Sequence, residues 1–134
     1  MAVLLPLFGA WGTAAGATPG PLPLGPVATV DFEDDIAGDG KGGWTDQGRE
    51  NSLTGFPRGK IALCGVPFEI PDCGPAVIAL ASPRRPELPQ QVELKTPGRR
   101  GGFLCVLAGY GWWTAPGSVA RIVVNYTDGS EEVL

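Results

Sequence analysis

Glycine and proline divide this chain into short apolar runs, and that division limits the folds it can adopt. The 134 residues include 21 glycines and 14 prolines, while hydrophobic residues make up 43% of the chain and charged residues 18%. This apolar content argues against disorder, and runs bounded by such breakers are typical of strands and turns. No apolar period of 3.6 residues continues over a helical length. The sequence therefore predicts one all-β domain, since domains commonly have about 100–150 residues.

The predicted strands begin at residue 27. Val66, Phe68 and Ile70 alternate along the chain, which places them on one face of a strand. The uniformly apolar run 103–108 predicts a strand buried on both faces, and Asp128-Gly129 predicts a two-residue hairpin turn. The other predicted strands cover 27–32, 61–64, 76–81, 91–95, 119–126 and 131–134. About seven or eight such strands indicate a β-sandwich or jelly roll, and the end of the chain just after a hairpin indicates that its last strands are missing.

The first 17 residues are apolar and rich in small side chains. They end in Ala15-Gly16-Ala17, which resembles a signal-peptidase cleavage site. This pattern predicts a signal peptide at 1–17, a flexible Pro/Gly-rich lead-in at 18–26 and a β-sandwich domain at 27–134 of a secreted, extracellular protein. The alternatives are a disordered leader and a misplaced start codon. No other stretch is apolar over the ~20 residues that a membrane span needs.

Charge and composition argue against several classes of function. The net charge is −4 and the isoelectric point is about 4.7, whereas nucleic-acid binders carry a basic stripe. The doublets Arg84-Arg85 and Arg99-Arg100 are flanked by Pro or Gly, and we expect them to be solvated loop tips. The chain contains no histidine, which excludes a Ser-His-Asp triad, a Cys-His dyad and a His-ligated zinc.

The three cysteines are an odd number. In an exported protein, Cys64 and Cys73 could close a small disulfide loop and leave Cys105 free. Cys105 lies within the apolar run, where a buried small hydrophobic side chain is the expected role. No C-x-x-C spacing occurs, so neither a structural zinc site nor a redox motif is indicated.

An acidic, Gly-rich loop covers residues 34–48. Read as an EF-hand loop that starts at Asp35, it has Ala37 where an oxygen ligand is expected, and no helices flank it. A structural calcium site of another kind is a second interpretation, in which carboxylates and backbone carbonyls supply the ligands. A third is that these side chains cap turns of the loop. The candidate metal ligands are Asp34, Asp35, Asp39 and Asp46.

Aromatic residues are the strongest indication of a binding function. Tyr110, Trp112 and Trp113 follow the apolar run in a predicted loop, and exposed aromatic side chains are frequent binding hot spots. Such rings can stack on a sugar ring while neighbouring polar groups bond its hydroxyls. The alternative is that one tryptophan closes the end of the sandwich. The candidate carbohydrate-binding residues are Tyr110, Trp112, Trp113, Trp44, Asp46 and Gln47, and Trp44 also suits a packing role.

Three blocks of sequence resemble a known family. Gly-Lys-Gly-Gly-Trp-Thr-Asp-Gln-Gly at 40–48, Gly-Val-Pro-Phe-Glu-Ile-Pro-Asp at 65–72 and the segment 119–130 are similar to galactose-binding-like jelly-roll modules of bacterial glycoside hydrolases. The blocks occur in the family's order and span about 27–134. Two features depart from the family: Val106-Leu107-Ala108 stands where such modules often have Leu-His-Ala, and their further strands after the Asp-Gly hairpin are missing.

The resemblance implies a noncatalytic module that binds polysaccharide or oligosaccharide for an attached or partner glycoside hydrolase. Some members of such a family only brace a neighbouring catalytic domain, and that structural role is the alternative. A small hydrolase with two catalytic carboxylates is a third interpretation, although no pair among the 14 acidic residues stands out.

Overall fold

The computed structural model describes residues 7–9, 20–96, 99, 101–111 and 120–134. Within these ranges the regular structure is almost entirely β. The exception is a 3₁₀ turn at Arg49–Asn51. The strands form three small antiparallel sheets with the orders β2-β1-β5, β3-β4 and β6-β7. They are β1 (Leu7–Gly9), β2 (Gly20–Pro21), β3 (Gly59–Leu63), β4 (Val66–Ile70), β5 (Leu104–Val106), β6 (Val123–Asn125) and β7 (Glu131–Val133). The all-β prediction is confirmed.

The described ranges contain no helix with the length and apolar character that crossing a membrane requires.

The β3–β4 hairpin shows the predicted alternation. Along β4, Phe68 and Ile70 are buried and Val66 is half-buried, while the residues between them are exposed. Pro67 pairs with Ala62 in this two-stranded sheet. Both strands of such a sheet are edges, which is where a residue without a backbone N–H is tolerated.

The β3–β4 turn places a non-glycine residue in the left-handed region. Cys64 has a φ of 50° and Gly65 a φ of 80°, and they are the two residues between the paired Leu63 and Val66. Positive φ at both central positions is the requirement of a type I′ turn, in which Asn-Gly is preferred.

We therefore expect Cys64→Asn to raise the free energy of unfolding by about 0.5–1 kcal/mol, because asparagine tolerates this conformation better than cysteine. Cys64 is exposed, so little packing is lost. Urea unfolding under reducing conditions would measure the change. The matched control is Cys73→Asn, because Cys73 is also exposed but is not among the residues with positive φ. A destabilised Cys64→Asn chain would contradict the assignment of strain to this turn.

The core lies between two segments that were predicted as full strands. Residues 27–32 and 76–81 pair through a single bridge, between Val30 and Val77. The hydroxyl of Thr29 forms further hydrogen bonds between the two segments. It accepts the N–H of Ala79 at 2.7 Å and can donate to the Ala79 carbonyl at 2.9 Å. The buried cluster consists of Val30, Phe32, Ile70, Ala76, Val77 and Ala79.

Packed structure begins ahead of the predicted domain boundary at residue 27. Leu22 and Leu24 in the Pro/Gly-rich lead-in are buried, with exposures of 7% and 1%. The neighbouring β2 pairs with β1, whose residues 7–9 lie within the segment predicted as a signal peptide. The rest of that segment lies outside the described residues.

The uniformly apolar run 103–108 was predicted to be buried on both faces, and this prediction is wrong. Phe103 is 67% exposed and the strand residues of β5 are half-buried. An apolar run fixes no partner by itself, and β5 is an edge strand of its sheet. Leu107 alone of the run is among the side chains packed against the buried cluster in the described part of the chain.

Two further predictions are changed in detail. Residues 91–95 alternate in burial as predicted, with Val92 and Leu94 half-buried, but form no strand. The hairpin at Asp128-Gly129 is confirmed, yet five residues, 126–130, lie between β6 and β7 in place of the predicted two. The N–H of Gly129 donates to the Tyr126 carbonyl at 3.1 Å, and Gly129 itself has a φ of 87°. This is a type I turn followed by a left-handed residue.

Candidate functional site

Asp34 anchors the acidic loop from within the structure. Its side chain is buried, with the residue only 5% exposed, and its Oδ2 accepts the N–H of Gly48 at 2.9 Å. Gly43 lies directly against it, since a Cβ on Gly43 would be 2.5 Å from the Asp34 Cβ. The Gly-Gly of the loop is therefore needed to let the backbone approach the buried carboxylate.

Asp46 and Asp39 order the exposed part of the same loop. Asp46 has a φ of 56°, its carbonyl accepts the N–H of Gly38 at 3.1 Å, and its Oδ2 accepts the N–H of Gly40 at 3.2 Å. The Oδ1 of Asp39 accepts the N–H of Lys41 at 2.8 Å. These bonds curl the loop so that Asp34, Asp39 and Asp46 each offer an oxygen within 4.8 Å of the others.

Asp35, the fourth predicted metal ligand, lies outside this cluster. It forms a surface ion pair with Arg49 at 2.8 Å, and the side chains of the two residues are 76% and 81% exposed. The hydrogen bond and the charge of Asp35 raise the pKa of the Arg49 guanidinium. An ion pair this exposed contributes little to stability, because water and salt screen it.

Trp44 connects the acidic loop to the core. Its ring is half-buried and packs against the buried cluster, and its indole N–H donates to the Asn51 carbonyl at 3.1 Å. A Cβ on Gly109 would lie 3.4 Å from the ring, so the loop after β5 runs across the Trp44 face. This geometry gives Trp44 a packing role, and a contact of its ring with sugar stays a prediction.

The aromatic loop after β5 is in contact with the acidic loop. A Cβ on Gly111 would lie 2.6 Å from the Thr45 Cγ2, so the Gly111 backbone packs directly against the Thr45 side chain. Tyr110, next to this contact, is 58% exposed. Trp112 and Trp113, which were predicted to stack on sugar, lie outside the described residues.

A cavity of about 510 Å³ opens beside the acidic loop. Its volume lies within the range of about 300–1,000 Å³ that is common for ligand pockets. The structure brings the predicted residues Asp46 and Gln47 together in its wall. The cavity is lined by Ala37, Gly38, Thr45, Asp46, Gln47, Asn51, Arg84 and Arg85.

The arginine doublet of the cavity wall corrects a prediction. Arg85 is not a solvated loop tip, because the residue is only 5% exposed and its Nη1 donates to the Gly43 carbonyl at 3.2 Å. Its Nε pairs with Glu87, and this hydrogen bond lowers the pKa of the Glu87 carboxyl below its ordinary value. The sequence separation of 42 residues between Arg85 and Gly43 explains why local patterns missed the contact.

The cysteines are free thiols. Cys64 and Cys73 are exposed and unbridged, so the small disulfide loop considered from the sequence is not formed. Cys105 is half-buried rather than buried, as is the rest of β5.

Comparison of the chain with protein-family models, with curated proteins and with solved structures gave no match in any of the three. The interpretation of the site therefore depends on the geometry of its own residues.

Proposed function

We propose that the chain is a noncatalytic carbohydrate-binding module, and the observation that carries this proposal is the cavity beside the acidic loop, whose wall includes several polar residues. Gln47 and Asn51, which carry amides, and Arg84, which carries a guanidinium group, line this space together with Asp46 and Arg85. Neighbouring hydroxyls of a sugar each donate and accept hydrogen bonds. A wall that mixes acceptors with donors suits them.

The surroundings of the cavity support the same ligand class. The exposed Tyr110 belongs to the loop that contacts Thr45, a residue of the cavity wall. An exposed aromatic ring beside a polar pocket is a common arrangement in binding sites. Within the described residues one carboxylate, Asp46, lines the cavity. Glycoside hydrolysis ordinarily needs a pair, so this lining favours binding over catalysis.

The proposal includes the finer features that the resemblance implies. The small antiparallel sheets would belong to a jelly roll, and the module would act in a secreted polysaccharide-degrading system with an attached or partner glycoside hydrolase. Residues 1–17 would direct export, and cleavage after Ala17 would remove β1 from the β2-β1-β5 sheet. The ligand would be a polysaccharide or oligosaccharide that enters the cavity and stacks on Tyr110, Trp112 or Trp113.

Titration of tryptophan fluorescence with soluble polysaccharides, including galactose-rich ones, tests the proposal. We expect a saturable change with at least one of them. Gln47→Ala and Asn51→Ala should each lower the affinity about fivefold, because a net hydrogen bond contributes about 1 kcal/mol. The Asn51 substitution leaves the carbonyl that holds Trp44 in place.

Glu131→Gln is the matched control, because Glu131 is exposed on the separate β6–β7 hairpin. It should bind like the native chain. A folded protein that responds to no polysaccharide, or cavity variants that bind as tightly as the control, would contradict the proposal.

The β6–β7 hairpin favours a second candidate function, that of a structural domain bracing a neighbouring catalytic domain. Its apolar side chains are unusually open to solvent: Val123 is 42% exposed, Val133 54% and Leu134 57%. Val123 and Val133 are paired across the hairpin and so share one face, and exposed apolar side chains grouped in this way are typical of a protein interface. This function predicts no change of tryptophan fluorescence in the polysaccharide titration. It also predicts that the hairpin becomes buried when the neighbouring domain is present.

A further inference from the structure

We propose that Asp34, Asp39 and Asp46 bind one calcium ion, which fixes the acidic loop and through it the wall of the cavity. Asp39 and Asp46 follow Asp34 by 5 and 12 residues in one loop. Each of the three offers one oxygen within 4.8 Å of the other two. This proposal is independent of the ligand of the cavity, since a metal that orders the loop would serve either function proposed above.

The independent evidence is a pair of buried carboxylate oxygens without a partner. Asp34 Oδ1 and Asp46 Oδ1 are both inaccessible to water and accept no hydrogen bond in the described part of the chain. Asp34 is 95% buried by residue, and its other oxygen is already bonded to the Gly48 N–H. A buried carboxylate oxygen left unpaired destabilises the folded chain, and a bound cation removes that cost.

The close approach of the three carboxylates suits one shared cation. Two carboxylates that approach within 4.8 Å repel each other unless a positive charge lies between them. The guanidinium of Arg85 is close by, but its described bonds go to the Gly43 carbonyl and to Glu87. A divalent ion would therefore satisfy the cluster without competing with the arginine.

Calcium fits the donor set better than magnesium or zinc. All three side-chain donors are oxygens, which calcium and magnesium prefer, and the site has no histidine or cysteine for zinc. Two ligands on one calcium ion can lie up to about 4.6–5.2 Å apart, which accommodates oxygens that lie within 4.8 Å of one another. An irregular loop also tolerates the variable geometry of calcium more easily than a strict octahedron.

Metal titration of the full chain, after treatment with EGTA, is the direct test. We expect Ca²⁺ at a hundredfold excess over its dissociation constant to raise the melting temperature by about 5–10 °C, with a smaller effect of Mg²⁺ at the same concentration. Tb³⁺, which replaces Ca²⁺ in oxygen sites, should give luminescence on excitation of tryptophan, because Trp44 is two residues from Asp46.

Asp34→Asn, Asp39→Asn and Asp46→Asn each remove one charge with little change of shape. Each should weaken Ca²⁺ binding at least tenfold and lose most of the thermal shift. Asp39→Asn keeps the test open if the buried Asp34→Asn chain fails to fold, since Asp39 is exposed. Asp35→Asn is the matched control, because it removes the same charge from the same loop outside the cluster, and it should retain the full response.

Two results would overturn the proposal. One is a folded native chain with no Ca²⁺-dependent shift and no Tb³⁺ luminescence. The other is equal loss of binding in Asp35→Asn and Asp39→Asn, which would indicate a diffuse effect of charge. Because the metal titration contains no sugar, it can succeed when the polysaccharide titration fails, and the reverse outcome is equally distinguishable.

Discussion

A Gly43→Ala chain should be less stable than the native protein by about 2–5 kcal/mol. Gly43 has a φ of 30°, and its added Cβ would lie 2.5 Å from the Asp34 Cβ and 2.7 Å from its Oδ2. Asp34 cannot move aside easily, because it is buried and bonded to the Gly48 N–H. The expected loss adds a left-handed non-glycine residue, about 1–2 kcal/mol, to overpacking, about 1–3 kcal/mol. Urea unfolding would measure it.

Gly40→Ala separates these two contributions. Gly40 has a φ of 72° in the same loop, but its added Cβ would meet nothing within 4 Å. It should therefore show the conformational cost alone, about 1–2 kcal/mol. Equal losses in Gly40→Ala and Gly43→Ala would contradict the close packing of the loop on Asp34.

The sequence predicts those parts of the fold that local periodicity determines. The alternation of Val66, Phe68 and Ile70 gave the buried face of β4, and Asp128-Gly129 gave the position of the last hairpin. The acidic loop was also predictable as a unit, because carboxylates separated by glycines are typical of turns that they cap or of metal sites that they form. The structure separates its members further, since Asp35 points to Arg49 whereas three others converge.

Contacts between distant segments could not be predicted from the sequence. A doublet between prolines gives no sign that Arg85 is buried against Gly43, and an apolar run does not say which of its faces will be covered. Phe103 is thus exposed although its neighbours suggested a buried strand. These outcomes depend on how loops pack against one another, which local sequence patterns do not encode.

Arg58 is the second residue, after Gly43, whose substitution we expect to lower the stability of the fold strongly. Its guanidinium pairs with Asp31, donates to the carbonyls of Pro71 and Gly74 at 3.0 and 3.1 Å, and lies 4.8 Å from the centre of the Phe32 ring. One side chain therefore joins the segment before the acidic loop to the segment after β4. Neither its position in the sequence nor its neighbours indicates this role.

Arg58→Met should lower the free energy of unfolding by about 2–4 kcal/mol. Methionine keeps much of the aliphatic stem but leaves the Asp31 carboxylate without its positive partner and two carbonyls without their donor, in a site where the Arg58 and Asp31 side chains are only 22% and 31% exposed. Breaking a buried pair by removing one partner typically costs about 3–5 kcal/mol, and the partial exposure here lowers that figure. Chemical denaturation of the purified chain would measure the loss.

Arg49→Met is the control for this prediction. It removes the same charge from the exposed pair with Asp35 and should leave the free energy of unfolding almost unchanged. In the double variant with Asp31→Asn, the Arg58→Met loss should shrink, because the unpaired carboxylate that causes much of it is gone. Fully additive losses, or equal losses at Arg49 and Arg58, would contradict the assignment of the loss to the Arg58–Asp31 pair.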